Sequence, residues 1–204
     1  MKRVNVNLAW IGVIFSIAST MLLIKYYRGI AAGRPSHALG ITVFFFSIVS
    51  SFSLLVVYRQ WAALLNENAL KTQKLAESHA LDLKGKPIVP DWTYFAFVAC
   101  WFLNFLFPGM WMFSLFQVVL FVVFLHFLFE AIKKLQEEKA YLYRTLFGVE
   151  YRPIIRERNV LFVLLLTMFT LGVYWLYLVI RLSKEINEFL DTDDRITKNL
   201  EVKP

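Results

Sequence analysis

The sequence predicts an all-α fold, a polytopic transmembrane helical bundle of four to five spans with amphipathic interfacial helices. Three observations carry that expectation. The 204 residues are 58% hydrophobic, above the roughly 45–50% of an ordinary soluble domain. Only 18% are charged, against about 25%. The charges also gather in patches separated by long stretches that carry almost none, as spans between wet loops require.

The first span is expected over 8–27, with Trp10 near one end and Tyr26 and Tyr27 at the other, where interfacial aromatics sit. Met1-Lys2-Arg3 starts as a signal peptide starts. However, the apolar run Leu8–Ile24 exceeds a typical signal core, and Lys25 and Arg28 follow it directly, so an uncleaved span is expected. Gly29, Gly33 and Pro35 break the chain before a second, serine-containing span over 38–58. Residues 59–83 are polar, rich in Ala and Leu, and free of Gly and Pro, which predicts an amphipathic helix. Its apolar stripe is Trp61, Leu64, Leu65, Ala69, Leu75, Ala76 and Leu83, and Gly85, Pro87 and Pro90 end it.

Trp92 to Phe129 is a run of 38 residues without a formal charge. As one helix it would extend about 57 Å, nearly twice the hydrocarbon core of about 30 Å. Phe107-Pro108-Gly109-Met110 carries a turn signal. The run is therefore either a hairpin with legs over 92–107 and 110–129 or one long kinked helix. An amphipathic helix over 130–147 and a charged connector to Asn159 come next. A last span is expected over 160–180, continued without Gly or Pro by an amphipathic helix over 181–190. In that helix Leu182, Ile186, Phe189 and Leu190 follow helical spacing, with Arg181, Lys184, Glu185 and Glu188 falling largely elsewhere. The polar tail from Asp191 onward is expected to fray.

Repetition is visible. Phe15–Arg28 aligns without gaps with Phe46–Arg59, with about half the positions identical. A common grammar also recurs: an apolar run, aromatics, a basic residue, then an amphipathic segment. The segments are Leu64-Leu65-Asn66-Glu67, Lys133-Lys134-Leu135-Gln136-Glu137 and Lys184-Glu185-Ile186-Asn187-Glu188.

Near the C-terminus, Arg158 to Tyr177 followed by Lys184-Glu185-Ile186-Asn187-Glu188 resembles the prokaryotic membrane family called domain of unknown function 4234. The resemblance rests on Thr170, Gly172, Val173 and Tyr174, then the aromatics Trp175 and Tyr177, and covers about thirty well-matched residues. Span two with Tyr58-Arg59 looks like a weaker copy that lacks the Gly-Ile-Tyr core. The resemblance implies a small multi-span prokaryotic protein and brings no activity, cofactor or catalytic residue with it.

The net charge of +7 and the pI near 9.5 fit a positive-inside bias and attraction to anionic lipid. No nucleic-acid partner is expected, because no basic patch is interleaved with aromatics. A lone Cys100 excludes an internal disulfide and reads as a small apolar filler. His126 and Glu130 share a helix face and read as an interfacial hydrogen-bonded pair, since a metal site needs further ligands. Asn104 and Gln117, the deepest uncharged polar residues of the long run, read as an interhelical contact. Thr170, Gly172 and Tyr174 read as packing positions, with Gly172 leaving a groove for a neighbouring backbone. Asp191, Asp193 and Asp194 fail the calcium-loop pattern, whose glycine would fall on Ile196, and read as a solvated acidic tail. Phosphate-loop, zinc-protease and nucleophile motifs are absent. No Asp, Glu, Lys or Arg occupies the centre of a predicted span, which argues against ion-coupled transport.

No catalytic, cofactor or metal residue is assigned, and no enzyme activity is expected. The expected function is structural, assembly or regulatory, exerted through contacts with the lipid bilayer and with a membrane-protein partner or a second copy. The alternative is a transporter or channel subunit with an uncharged polar pathway. The expected location is the cell membrane, with the N-terminus and the 59–91 segment cytoplasmic. Lys and Arg divide about 14 to 8 in favour of that side with five spans, and about 12 to 10 with four.

Overall fold

The computed structural model of the chain describes every residue except Met1, Lys84, Lys86, Pro108, Gly109 and 202–204, and side chains as far as Lys198. The described residues form six helices: α1 (Val6–Ala31), α2 (His37–Ser78), α3 (Asp91–Leu106), α4 (Trp111–Phe147), α5 (Val160–Phe169) and α6 (Val173–Glu201). The fold is a helical membrane bundle. Three helices, α1, α2 and α4, are long and apolar enough to cross a bilayer, and α5 is a shorter apolar helix. The chain divides into two units, Asn5–Tyr58 and Met1–Val4 with Arg59–Pro204. The continuous helix α2 contributes its residues 37–58 to the first and 59–78 to the second.

The first unit is an antiparallel helical hairpin with a polar seam. Asn5 starts α1 by accepting a hydrogen bond from the Leu8 backbone N–H. Ser19 and Ser47 hydroxyls meet at 2.6 Å, and the Ser50 hydroxyl donates to the Gly12 carbonyl at 2.8 Å. Phe15 and Phe46 rings lie edge to face at 4.9 Å. A Cβ on Gly12 would come within 2.8 Å of the Leu54 side chain. In hydrocarbon, where apolar burial drives little, small residues and hydroxyls of this kind hold helices together.

In the second unit, α3 and α4 are also antiparallel. Trp92 faces Phe127, Tyr94 faces Phe124 and Phe97 faces Phe121, so one number rises as the other falls. The uncharged run is thus two paired helices. The turn expected at Pro108-Gly109 lies outside the described residues. On its flanks, the Met110 N–H donates to the Phe107 carbonyl at 3.2 Å. Helix α4 continues without interruption into 130–147 and ends at Gly148, whose φ of +64° lets its N–H reach the Arg144 carbonyl. The Val149 N–H reaches the Tyr143 carbonyl, completing a paired C-terminal cap.

The last expected span, 160–180, is not one helix. Helix α5 ends at Phe169, Leu171 and Gly172 adopt φ of +49° and +89°, and α6 starts at Val173. The chain doubles back there: beyond the two legs, Arg158 before α5 pairs with Glu185 in α6 at 2.7 Å. Helix α5 has 10 residues, about 15 Å at 1.5 Å per residue, half of the roughly 30 Å needed to span. The tail does not fray at Asp191 either, since α6 runs on to Glu201. The reason is packing: Asp193 is buried, and so are Leu182, Ile186, Phe189 and Leu190.

Candidate functional site

The most organised part of the second unit is built from three side-chain amides. Asn66 in α2 donates from Nδ2 to the Val89 carbonyl at 2.9 Å and accepts the Val89 N–H on Oδ1 at 2.8 Å. Gln136 in α4 donates to the Ile155 carbonyl at 2.9 Å and accepts the N–H groups of Ile154 and Ile155. Asn187 in α6 donates to the Val4 carbonyl at 3.0 Å and accepts the Val4 N–H at 2.8 Å. Each amide therefore pairs with both the N–H and the carbonyl of one β-branched residue outside the helices. Val4, Val89 and Ile155 are all buried, so their peptide groups need such partners.

The three brackets close a cycle. Asn66 holds the segment that enters α3, Gln136 holds the segment that leads to α5, and Asn187 holds the segment that enters α1. The residue before each amide, Leu65, Leu135 or Ile186, is fully buried. The recurring grammar of the sequence thus marks three similar brackets, one each on α2, α4 and α6.

Beyond the brackets lies a buried polar hub. The Asp193 carboxylate accepts from Lys139 Nζ and the Tyr143 hydroxyl on one oxygen, and from Asn68 Nδ2 at 2.8 Å on the other. Lys139 and Asp193 side chains are 4% and 9% exposed, so neither charge is tolerable without the other. Burial pushes the Lys139 ammonium below its usual range, and the Asp193 carboxylate opposes that shift. Burial, then the same carboxylate, pushes the hydroxyls of Tyr143 and Tyr151 well above the usual tyrosine range. Sequence reasoning placed Asp193 in a solvated tail. Its burial could have been found only by extending the helical stripe of α6 past Leu190.

A second ionic group ties the segment before α5 to α6. Glu185, expected on the polar face, is buried and accepts from Arg158 at 2.7 Å and from Arg181 Nε at 2.9 Å. Trp61 Nε1 donates to Ser183 Oγ at 3.0 Å, linking α2 to α6.

The residues singled out from the sequence fall in three places. Asn104 donates to Gln117 across the α3–α4 pair at 3.2 Å, and Ser114 donates to Asn104 at 2.9 Å. His126 and Glu130 are 3.6 Å apart on exposed side chains, and Glu130 is also 2.7 Å from Lys134. Thr170, Gly172 and Tyr174 build the α5–α6 turn. The Thr170 hydroxyl donates to the Leu166 carbonyl and accepts the Tyr174 N–H at 2.9 Å, stitching one helix end to the next helix start. Among the described residues nothing lies within 4 Å of a Cβ on Gly172, so no neighbour within the chain packs against it. Its φ of +89° is what calls for glycine.

Among the described residues no group of three or more His, Cys, Asp or Glu is placed to hold a metal ion. Comparison with protein-family models, with curated proteins and with solved structures finds no match to this chain.

Proposed function

We propose that the protein is a multi-pass membrane protein of structural, assembly or regulatory kind that works through protein or lipid contacts and not through catalysis. The observation that supports this most is the use made of its buried polar groups. Asn66, Gln136 and Asn187 hold backbone, and Lys139, Asp193, Glu185 and Arg158 are paired with one another. Groups so engaged stabilise a platform, which leaves the exposed basic and apolar faces for partners. A membrane-protein partner, a second copy and anionic lipid all suit such faces.

The side of the membrane follows from charge. With three returning hairpins, only Lys25, Arg28 and Arg34 of the 22 Lys and Arg lie on the far side of the bilayer. The remaining nineteen, at both termini and in the connectors, share the near side. A positive-inside bias then puts the platform in the cytoplasm of a cell-membrane protein. The resemblance to domain of unknown function 4234 is compatible with this, and the Thr170–Tyr174 motif that carries it forms the α5–α6 turn.

The rival reading is a transporter or channel subunit. It is favoured by the uncharged Asn104–Ser114–Gln117 cluster near the tip of the α3–α4 pair. Purification of the tagged full chain from native membranes decides between them. A stoichiometric protein or lipid companion supports the contact reading. Ion flux in liposomes holding only this chain, abolished by Gln117→Leu, replaces it with the transport reading.

A further inference from the structure

The second unit has an open groove of about 690 Å³ where α4 leaves its apolar stretch and the chain enters α5. Its floor is apolar: Phe129, Ile132, Val160 and Leu161. Its polar rim carries Lys133 and Arg156 beside the exposed Glu157 carboxylate, which leaves one net positive charge once the groups paired elsewhere are set aside. Arg158 also lines the groove but is occupied by buried Glu185. Glu130 is neutralised by Lys134 at 2.7 Å, while Glu157 approaches Lys133 only to 3.9 Å. Arg156 forms no ion pair among the described residues, and its side chain is exposed.

The position of this groove is informative. Glu130 is the first formal charge after the 38 uncharged residues from Trp92, and Val160 is the first residue of the next apolar helix. The cations therefore stand at the water–hydrocarbon boundary. Leu161 and Leu165, one turn apart on α5, expose 69% and 52% of their surface below them. The positive end of the α5 dipole faces the same rim.

From this juxtaposition we propose that the α4–α5 groove binds one anionic diacyl phospholipid. Lys133 and Arg156 contact its phosphate, and its acyl chains lie along Phe129, Leu161 and Leu165. The proposal rests on the membrane reading above and names one of its partners. Arg suits a phosphate by its forked donors and Lys by its compact charge. A soluble phosphate ester offers the same anion but leaves the apolar floor uncovered.

The test uses the full chain, reconstituted in nanodiscs of phosphatidylcholine with a minor share of phosphatidylglycerol. Lipid retained after transfer to detergent is counted by native mass spectrometry. The wild-type chain should retain phosphatidylglycerol over phosphatidylcholine by at least about fivefold, the scale of one surface cation. Lys133→Gln with Arg156→Gln should erase that preference. Lys74→Gln, an exposed cation on α2 away from this groove, should leave it intact. Glycerol 3-phosphate should not displace the lipid. Equal retention of both lipids, an unaffected double variant, or displacement by glycerol 3-phosphate would each overturn the proposal. Release of the wild-type chain from membranes by alkaline carbonate would instead refute the membrane reading itself, whatever the lipid count.

Discussion

Asn187 and Val4, 183 positions apart, are joined by two hydrogen bonds between one side-chain amide and one residue's backbone. The contact fastens the start of the chain to its last helix and closes the cycle begun by Asn66 and Gln136. Arg3 reinforces it by reaching Asp191 at 2.6 Å. The Gln136 bracket is the most buried of the three, at 3% exposure. Gln136→Leu should therefore cost the most, about 2–4 kcal/mol, because it strands the buried N–H and carbonyl of Ile155 and the half-buried N–H of Ile154. Asn66→Leu and Asn187→Leu, at half-buried sites, should cost about 1–2 kcal/mol each. Chemical unfolding in detergent gives the ranking, and an equal cost at all three sites would contradict it. Asn187→Leu should also leave the Val4 amide as quick to exchange as that of Lys2.

The hub makes a sharper prediction. Lys139→Met leaves the Asp193 carboxylate buried with only neutral partners, and Asp193→Leu leaves an unpaired buried ammonium. Each should destabilise by about 3–5 kcal/mol. The double variant, apolar at both positions, should recover most of that loss, since apolar replacement of a buried pair is often neutral. Additive losses would show that the two side chains do not act as a pair.

The contrast between these two sites shows what the sequence could and could not reveal. The Leu-Asn-Glu, Leu-Gln-Glu and Ile-Asn-Glu segments stood out as a repetition because each exit from the membrane needs the same local solution. Their bonding was invisible, because Val4, Val89 and Ile155 lie in segments with no periodicity of their own. The helical stripe of Leu182, Ile186, Phe189 and Leu190 was legible from spacing alone. Asp193 and Glu185 were misplaced because a buried charge announces itself only through a partner distant in sequence, Lys139 in one case and Arg158 in the other. The break at Leu171 was missed because Thr-Leu-Gly-Val is apolar enough to pass for helix interior, with only Gly172 as a signal.

Alkaline pH gives a third prediction. The hydroxyls of Tyr143 and Tyr151 are raised by burial and by Asp193, whereas in the unfolded chain they ionise near about pH 10. Above that pH the folded state holds protons that the unfolded state has lost. Their contribution to stability is thus complete below about pH 10 and is lost as the pH rises further. Tyrosinate absorbance should leave at least two of the nine tyrosines silent until the protein unfolds. Tyr143→Phe should lessen the alkaline loss. Smooth titration of all nine in the folded protein would contradict this.

Gly172 separates strain from packing. Open space surrounds the position, and its φ is +89°. Gly172→Ala and Gly172→Leu should then cost alike, about 1–2 kcal/mol each, because the penalty is backbone conformation. Val173→Leu should cost little. A much larger loss for Leu than for Ala, read from melting in detergent, would restore a tightly packed neighbour at this site, for example in an oligomer.

The topology can be tested at the C-terminus, where one crossing helix over 160–180 and a returning hairpin give opposite answers. A crossing helix would carry Lys198 to the side opposite Arg59, whereas the α5–α6 return keeps them together. The Arg158–Glu185 pair demands the return, because its two partners bracket the whole apolar segment and must lie at one level. In a Cys100→Ala background, single cysteines would replace Arg34, Lys71 and Lys198 in turn. An impermeant maleimide added to intact cells should label the cysteine at position 34 only. The other two should react once the membrane is opened. Labelling at 198 but not at 71 would mean that the last apolar segment crosses the membrane and that the third hairpin does not form in the bilayer. Labelling at 71 but not at 34 would keep the hairpins and invert the orientation proposed from the charge distribution.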